Sequence, residues 1–282
     1  MTSREPSVSV IIPTWNRAAA VVAAVASALN QTHAPLEVLV CDDGSTDDSE
    51  ERIRRMSDPR VRWLPASRGG RPAIPRNRGI AAARGEWLAF LDSDDQWLPE
   101  KLARQLAALR ASGRRASSTN ASRLVPGLGP AGTLHDGGET VLGLAQLLAD
   151  NRVVCSSAVI HKSLMAETEG FPEAAGLRAL EDYALWLRVS CFTEFDYLPE
   201  PLVIYRDDPP NSVRAFDLDG RNQRFTVLSD FLAWCRRHPS GQTRRGYRAG
   251  RRMLRREKVL AVTMPARSRI IRGLAAAWHR LR

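Results

Sequence analysis

Three stretches of this chain run from a short apolar strand directly into polar or acidic residues, and this repeated switch constrains the fold most. Val8-Ser9-Val10-Ile11-Ile12 stops at Pro13-Thr14-Trp15-Asn16-Arg17. Leu36-Glu37-Val38-Leu39-Val40-Cys41 stops at Asp42-Asp43-Gly44-Ser45-Thr46-Asp47. Glu86-Trp87-Leu88-Ala89-Phe90-Leu91 stops at Asp92-Ser93-Asp94-Asp95. Helical stretches lie between them, from about Ala18 to Leu29, Asp47 to Met56 and Pro72 to Ala83. Strands alternating with helices predict a parallel sheet wound by βαβ crossovers. The polar ends of successive parallel strands then share one edge, where open α/β sheets bind ligands. Asp42, Asp43, Asp92 and Asp94 are placed to meet around one ligand there.

Three acids around one serine repel each other, so the Asp92 cluster costs free energy unless a cation or a donor-rich ligand sits beside it. Mg²⁺ and Mn²⁺ take one or two protein carboxylates and complete their shell with phosphate and water. A metal–phosphate site is the sharper reading, and a solvated acidic turn before a helix starting near Pro99 is the plainer one. Asp43, Ser45 or Thr46 also suit a helix N-cap, which is compatible with binding. Arg68, Arg71, Arg76 and Arg78 crowd one short segment, and guanidinium forks suit phosphate oxygens. Glu181-Asp182 opens a helical stretch, where the macrodipole favours acids. A sharper reading makes one of the two a general base facing a substrate hydroxyl, with the other holding the helix start. Walker, G-x-S-x-G and G-x-G-x-x-G patterns do not occur, which removes support for P-loop hydrolysis and hydride transfer.

The 282 residues are 44% hydrophobic, enough for one large core or two fused subdomains. Cys41, Cys155, Cys191 and Cys235 are isolated and read as free thiols in a reducing compartment. The N-terminus fits no signal peptide, and no apolar run reaches the roughly 18 to 20 residues that cross a bilayer, so a cytoplasmic location is expected. Residues 1–115 read as a ligand-binding α/β half. Residues 116–210 read as a second half, with a long Gly/Pro-rich loop from Leu124 to Gly138 and a strand from Val153 to His161. A helix from Leu180 to Cys191 and a strand pair from Phe195 to Arg206 follow. Residues 211–282 read as a basic helical extension.

The net charge of +10 is uneven: Arg236 to Arg282 hold 15 Lys+Arg against one acid, Glu257. Such tails meet anionic surfaces. Ile270, Ile271, Leu274, Trp278 and Leu281 recur at helical spacing among arginines, as in an interfacial helix at an anionic membrane such as the inner face of the plasma membrane. Packing of that stripe on the protein's own body is the other reading. A non-enzymatic nucleic-acid-binding protein using this basic tail is the alternative to an enzyme; Trp234, Tyr247 and Trp278 are sparse and far apart for a stacking surface, and no nucleic-acid partner is expected.

Together with Pro75-Arg76-Asn77-Arg78-Gly79-Ile80 and Leu180-Glu181-Asp182-Tyr183-Ala184-Leu185-Trp186-Leu187-Arg188, the three strand-end motifs resemble the family 2 glycosyltransferases. The resemblance covers residues 7 to about 206. It implies a GT-A fold: α/β, with a single Rossmann-like mixed sheet flanked by helices, followed here by the basic helical extension. It implies that Pro13, Thr14, Asn16 and Asp42 contact the base and ribose of a nucleotide-sugar donor, with Arg17, Asp43 and Ser93 beside them. Arg76 is implied at the donor phosphate or sugar. Asp92-Ser93-Asp94 corresponds to the family's D-x-D motif, with Asp94 as the direct ligand of Mn²⁺ or Mg²⁺ and Asp92 nearer the ribose or sugar. Asp182 of the Glu181-Asp182 pair is implied as the catalytic base.

Two departures stand out. Ser67-Arg68-Gly69-Gly70 lacks the Asn that commonly precedes the Gly-rich loop. Tyr205-Arg206 is followed by Asp207-Asp208 where many members carry a His, so a third metal ligand is Asp207, Asp208 or absent. The implied activity is an inverting transfer from a UDP-sugar, the family's commonest donor type, to a saccharide or lipid-linked acceptor in surface polysaccharide synthesis. A sugar nucleotidyltransferase is the competing enzyme, although its basic Gly-rich N-terminal signature is missing.

Overall fold

β1 (Val8–Thr14) and β2 (Glu37–Asp42) are buried along their whole length, which explains their almost unbroken apolar runs. In the computed structural model, which describes residues 5–208 and 220–257, these two strands pair in parallel in a ten-stranded sheet. Its order is β3-β2-β1-β4-β9-β6-β10-β5, with β7 beside β6 and β8 beside β10. The expected crossovers are present: α1 (Ala18–Leu29), α2 (Ser49–Arg55) and α3 (Ala73–Ala82) link β1, β2, β3 (Val61–Leu64) and β4 (Trp87–Phe90). These four strands are mutually parallel. Pro13 lies beyond the last β4 pairing at Ile11↔Phe90, so its missing N–H breaks no bond on that side.

Beyond β4 the sheet becomes mixed. β5 (Gln96–Trp97) and α4 (Lys101–Ser112) precede β6 (Ala116–Val125) and β7 (Gly129–Thr133). β8 (Val141–Leu142) and α5 (Leu144–Ala149) lead to β9 (Val159–His161), which is antiparallel to both β4 and β6. α6 (Ser163–Thr168), α7 (Glu181–Val189) and β10 (Phe195–Arg206) complete the sheet region. Residues on both sides of position 115 therefore share one sheet. The chain forms two compact units, Met1–Leu218 and Asp219–Arg282.

Three local expectations change. The loop expected from Leu124 to Gly138 contains a hairpin: β6 runs to Val125 and turns back as β7. Gly127 and Gly129 lie at φ +79° and +85°, so these glycines make a turn between paired strands. The strand expected from Val153 begins only at Val159, because Cys155–Ser157 coil into a 3₁₀ turn. The strand pair expected over Phe195–Arg206 is one strand, with register shifts around Pro201. Pro199 and Pro201 lack the N–H groups a regular ladder needs, and a bulge absorbs them.

α7 is buried on every side, its charged Glu181, Asp182 and Arg188 included. Trp186 packs against Phe90, Phe171 and Phe195 with ring centroids 6.1, 5.9 and 5.8 Å away. This cluster sets the N-terminus of α7 beside the end of β4. The second unit contains α8 (Gly220–Arg237) and a helical stretch over 241–257. The two meet where Gly250 approaches Phe231, leaving only 3.1 Å to where a Cβ would stand. The stripe from Ile270 to Leu281 lies outside the described residues. All four cysteines are free thiols. Among the described residues, no helix is long and apolar enough to cross a membrane.

Candidate active site

The parallel register places Thr14 level with Asp42, and β4 ends on the other side of β1. The three strand-end motifs therefore lie along one edge. Asp42 turns back on its own loop, accepting N–H bonds from Gly44 at 3.2 Å and Ser45 at 3.0 Å. Asp43 receives Arg68 Nη1 at 2.5 Å and the N–H groups of Gly69 at 2.7 Å and Gly70 at 2.9 Å. Asp43 thus holds the Gly-rich loop, and Arg68 stacks 3.5 Å above the exposed Trp15 ring. Gly44 has φ +78° and only 2.8 Å between a would-be Cβ and Arg68 N, so the turn accepts no side chain.

Asn16, at φ +48°, joins the β1 and β2 loops. Its N–H donates to Ser45 Oγ at 2.9 Å, and its Oδ1 accepts from Thr46 N at 2.7 Å. Arg17 pairs with Asp94 through Oδ2. Pro13 and Thr14 close β1, and the buried Thr14 Oγ1 has no protein partner. A ligand with a polar group at this edge would satisfy that hydroxyl.

The acid run separates by orientation. Asp92 and Asp94 are half-exposed, Ser93 is buried, and Asp95 is only 2% exposed. Asp95 accepts bonds from Ser156 Oγ at 2.5 Å and Arg206 N at 2.9 Å, tying the acid loop to the end of β10. Burial raises its carboxyl well above the ordinary range, and the charges of Asp94 and Asp92 push the same way. Burial also raises the Asp94 carboxyl; Arg17 opposes this and Asp92 adds to it. Asp95 is an anchor that the sequence reading did not separate from its neighbours.

Arg76 joins the two halves of the site. It is 4% exposed, and it donates through Nη2 to Asp92 Oδ1 at 2.5 Å and through Nη1 to Glu181 Oε1 at 2.6 Å. Phe171 lies 5.2 Å from its guanidinium. Burial opposes the Arg76 charge, yet Asp92 and Glu181 hold its pKa well above the usual value. Both terminal nitrogens are thus engaged inside the protein. Asp182, one residue on, accepts the N–H of Tyr183 at 2.7 Å. Cys155 lies within the field of Arg76, Asp92, Asp182 and Glu181, and burial pushes its thiol well up, so it remains protonated.

The other arginines of the segment serve other contacts. Arg71 donates to the Glu173 carbonyl at 2.6 Å, and Arg78 bonds the carbonyls of Asp42 and Leu64. Asp207 pairs with Arg123, and Asp208 lies 3.5 Å from Arg206. Among the described residues, no group of three or more His, Cys, Asp or Glu is arranged to hold a metal. Asp92 and Asp94, each half-exposed, still suit a divalent cation of the kind that leans on one or two carboxylates and on substrate phosphates.

A sheet that is parallel on one side and mixed on the other, with acids at the shared edge, is the architecture of the GT-A class. Crystal structures of Staphylococcus aureus TarS share it: one, in complex with UDP-GlcNAc, superposes with a TM-score of 0.67 at 17% identity, covering 88% of this chain and 70% of that one. The model of Glycosyl transferase family 2 matches residues 9–122. A relative in Escherichia coli, the UDP-Glc:alpha-D-GlcNAc-diphosphoundecaprenol beta-1,3-glucosyltransferase WfaP, is 30% identical over 64% of this chain and 69% of its own length. The chain belongs to glycosyl transferase family 2. The succinoglycan biosynthesis protein ExoO of Rhizobium meliloti is 39% identical over 41% of this chain, and the match spans 33% of ExoO's length.

Proposed function

We propose that this protein transfers a sugar from a nucleoside diphosphate sugar, by default a UDP-sugar, to a hydroxyl of a saccharide or lipid-linked acceptor, with inversion at the anomeric carbon. The observation that carries this reading is the Arg76 bridge, which brings Asp92 of the acid loop and Glu181 of α7, the neighbour of Asp182 in sequence, to one buried cation. A donor-side acid motif and a candidate base are thereby held together. The specificity printed in WfaP's name, and the UDP-GlcNAc complex of TarS, support a UDP-sugar donor and a diphosphate-lipid acceptor. That acceptor class fits surface polysaccharide synthesis at an anionic membrane surface.

In this reading, the β1 and β2 loops, with Pro13, Thr14, Asn16 and Asp42, hold the nucleoside. Asp94 and Asp92 would hold Mn²⁺ or Mg²⁺ with the donor diphosphate. When bound, the cation supplies charge neutralisation to the departing diphosphate. Asp182 takes the proton from the acceptor hydroxyl, whose oxygen attacks the anomeric carbon opposite the leaving group. Oxocarbenium character develops at that carbon, as in other glycosyl transfers, and a single displacement inverts it. Glu181 acts through Arg76 as a positioning residue for Asp92.

A thermal-shift series with UDP-, GDP- and dTDP-sugars, with and without Mn²⁺, tests donor binding, since a ligand of the native state raises the melting midpoint. One sugar nucleotide is expected to give a shift that Mn²⁺ enlarges and Asp94→Asn removes. Release of nucleoside diphosphate is the expected product signature; release of pyrophosphate would replace this reading with nucleotidyl transfer.

A further inference from the structure

Helix 241–257 carries Arg244, Arg245, Arg248, Arg251, Arg252, Arg255 and Arg256, and all seven are exposed. At 3.6 residues per turn they fall within one arc of about 140° and span about 18 Å of the helix axis. Thr243, Gly246, Ala249, Gly250, Met253 and Leu254 occupy the opposite arc and are buried or half-buried. The helix's one acid, Glu257, lies outside the arginine arc and is held by Arg224 at 2.8 Å. Among the described residues, none of the seven arginines is in an ion pair. Like charges at i, i+3 and i, i+4 weaken the helix that carries them. A one-sided stripe of seven therefore opposes its own helix and is suited to an anionic partner.

We propose that this arginine face docks on an anionic phospholipid surface. A recess of about 200 Å³, lined by Tyr247, Arg248, Arg251, Arg252 and Arg255, opens on the face. Guanidinium forks match phosphate oxygens in two-point contacts. No Asn, Gln, Ser or Thr stands between Arg244 and Arg256, so the face lacks the amide and hydroxyl groups that help read base edges. It is one-sided, as contact with a flat surface requires. The sequence after Glu257 adds six Lys+Arg and no acid, together with Trp278, and so continues the same charge. The choice of lipid among phosphate-bearing partners rests on the lipid-linked acceptor proposed above.

Flotation of the full chain with vesicles tests this. The parent is expected to float with phosphatidylglycerol/phosphatidylcholine vesicles at low salt, to release at high salt, and to ignore pure phosphatidylcholine. Replacing Arg248, Arg251, Arg252 and Arg255 together by Gln is expected to weaken binding at least about tenfold, at a melting midpoint no lower than the parent's. The corresponding four-Lys variant, which keeps the charge, is expected to bind within a few-fold of the parent. The proposal is overturned if the parent stays unbound to anionic vesicles at low salt, or if the Gln variant binds as tightly as the parent. Tighter capture of a duplex oligonucleotide than of the vesicles would assign the face to nucleic acid and overturn it too. Transfer to a water-soluble acceptor is expected to be the same for the parent and the Gln variant. Absent transfer in a parent that still floats would break the catalytic reading and leave the docking surface standing.

Discussion

At the carboxyl edge of the sheet, arginines meet carboxylates: Arg76 meets Asp92 and Glu181, Arg17 meets Asp94, and Arg68 meets Asp43. On helix 241–257, seven arginines have no acidic partner among the described residues. The same side chain does different work in the two places. A buried pair gives back in attraction much of what it loses in desolvation, so it contributes little net stability while holding groups in place. An exposed, unpaired arginine remains available, and its field reaches a partner before contact. Lys101 is a third case: fully buried, over the Trp97 ring at 4.1 Å, with Gln105 Oε1 at 2.7 Å and no anionic partner among the described residues.

The sharpest break of the edge region is Asp182→Asn. Turnover is expected to fall about 10²–10⁴-fold with donor affinity retained, measured by steady-state kinetics and calorimetry. Near-parental turnover would move the base to Glu181 or elsewhere. Next comes Arg76→Met, which strands Asp92 and Glu181 without their shared cation. Removing one partner of a buried pair costs about 3–5 kcal/mol, and urea unfolding is expected to show a loss of that order. Adding Glu181→Met is expected to recover part of it. Additive losses would mean that the two residues do not act as a unit.

Lys101→Met probes the buried cation without an anion. Burial lowers the folded-state pKa of Lys101 well below 10.5. The unfolded chain therefore binds more protons between that lowered value and the ordinary one, and parent stability gains with pH across that window. The parent is expected to gain on Lys101→Met as pH rises toward 10, read from unfolding free energies at several pH values; a constant difference would place the lysine's charge in contact with solvent. The smallest effect is expected on α2, where the Arg54–Glu50 pair is exposed. Glu50→Ala is expected to cost about 0.3–0.5 kcal/mol, less in salt. A multi-kilocalorie loss there would undo the contrast between buried and surface pairs.

The alternation of strands and helices through residue 90 was legible because each element carries its own period and its own stop signal. Gly113, at φ +71°, closes α4 in the left-handed conformation that a glycine stop signal supplies. Short elements were not legible: β5 and β8 have two residues each, too few to show any period. The hairpin inside 124–138 was hidden because glycines in a turn and glycines in a loop look alike in sequence. Glu37 was hidden as well. It sits fully buried in an apolar strand, satisfied by Ser9, Arg62 and the Arg84 N–H. Burial works against its charge, but these bonds prevail and hold its carboxyl below the usual value.

At the site, the acids themselves were visible in the sequence, whereas their division of labour was not. Asp94 and Asp95 are neighbours of one residue type. Asp95 turns inward because Ser156 and Arg206, 61 and 111 residues away, supply donors there. Arg76 could be read as a basic residue suited to phosphate, but its partner Glu181 is 105 residues distant. Residue type, local period and net charge act over a few neighbours along the chain, so the sequence alone determined the strand-end acids, the crossovers and the basic tail. Partners, burial and the direction a side chain faces depend on what the folded sheet brings within hydrogen-bond reach. Only the tertiary structure decided which acids face outward, which arginines are occupied, and which are left for something else to bind.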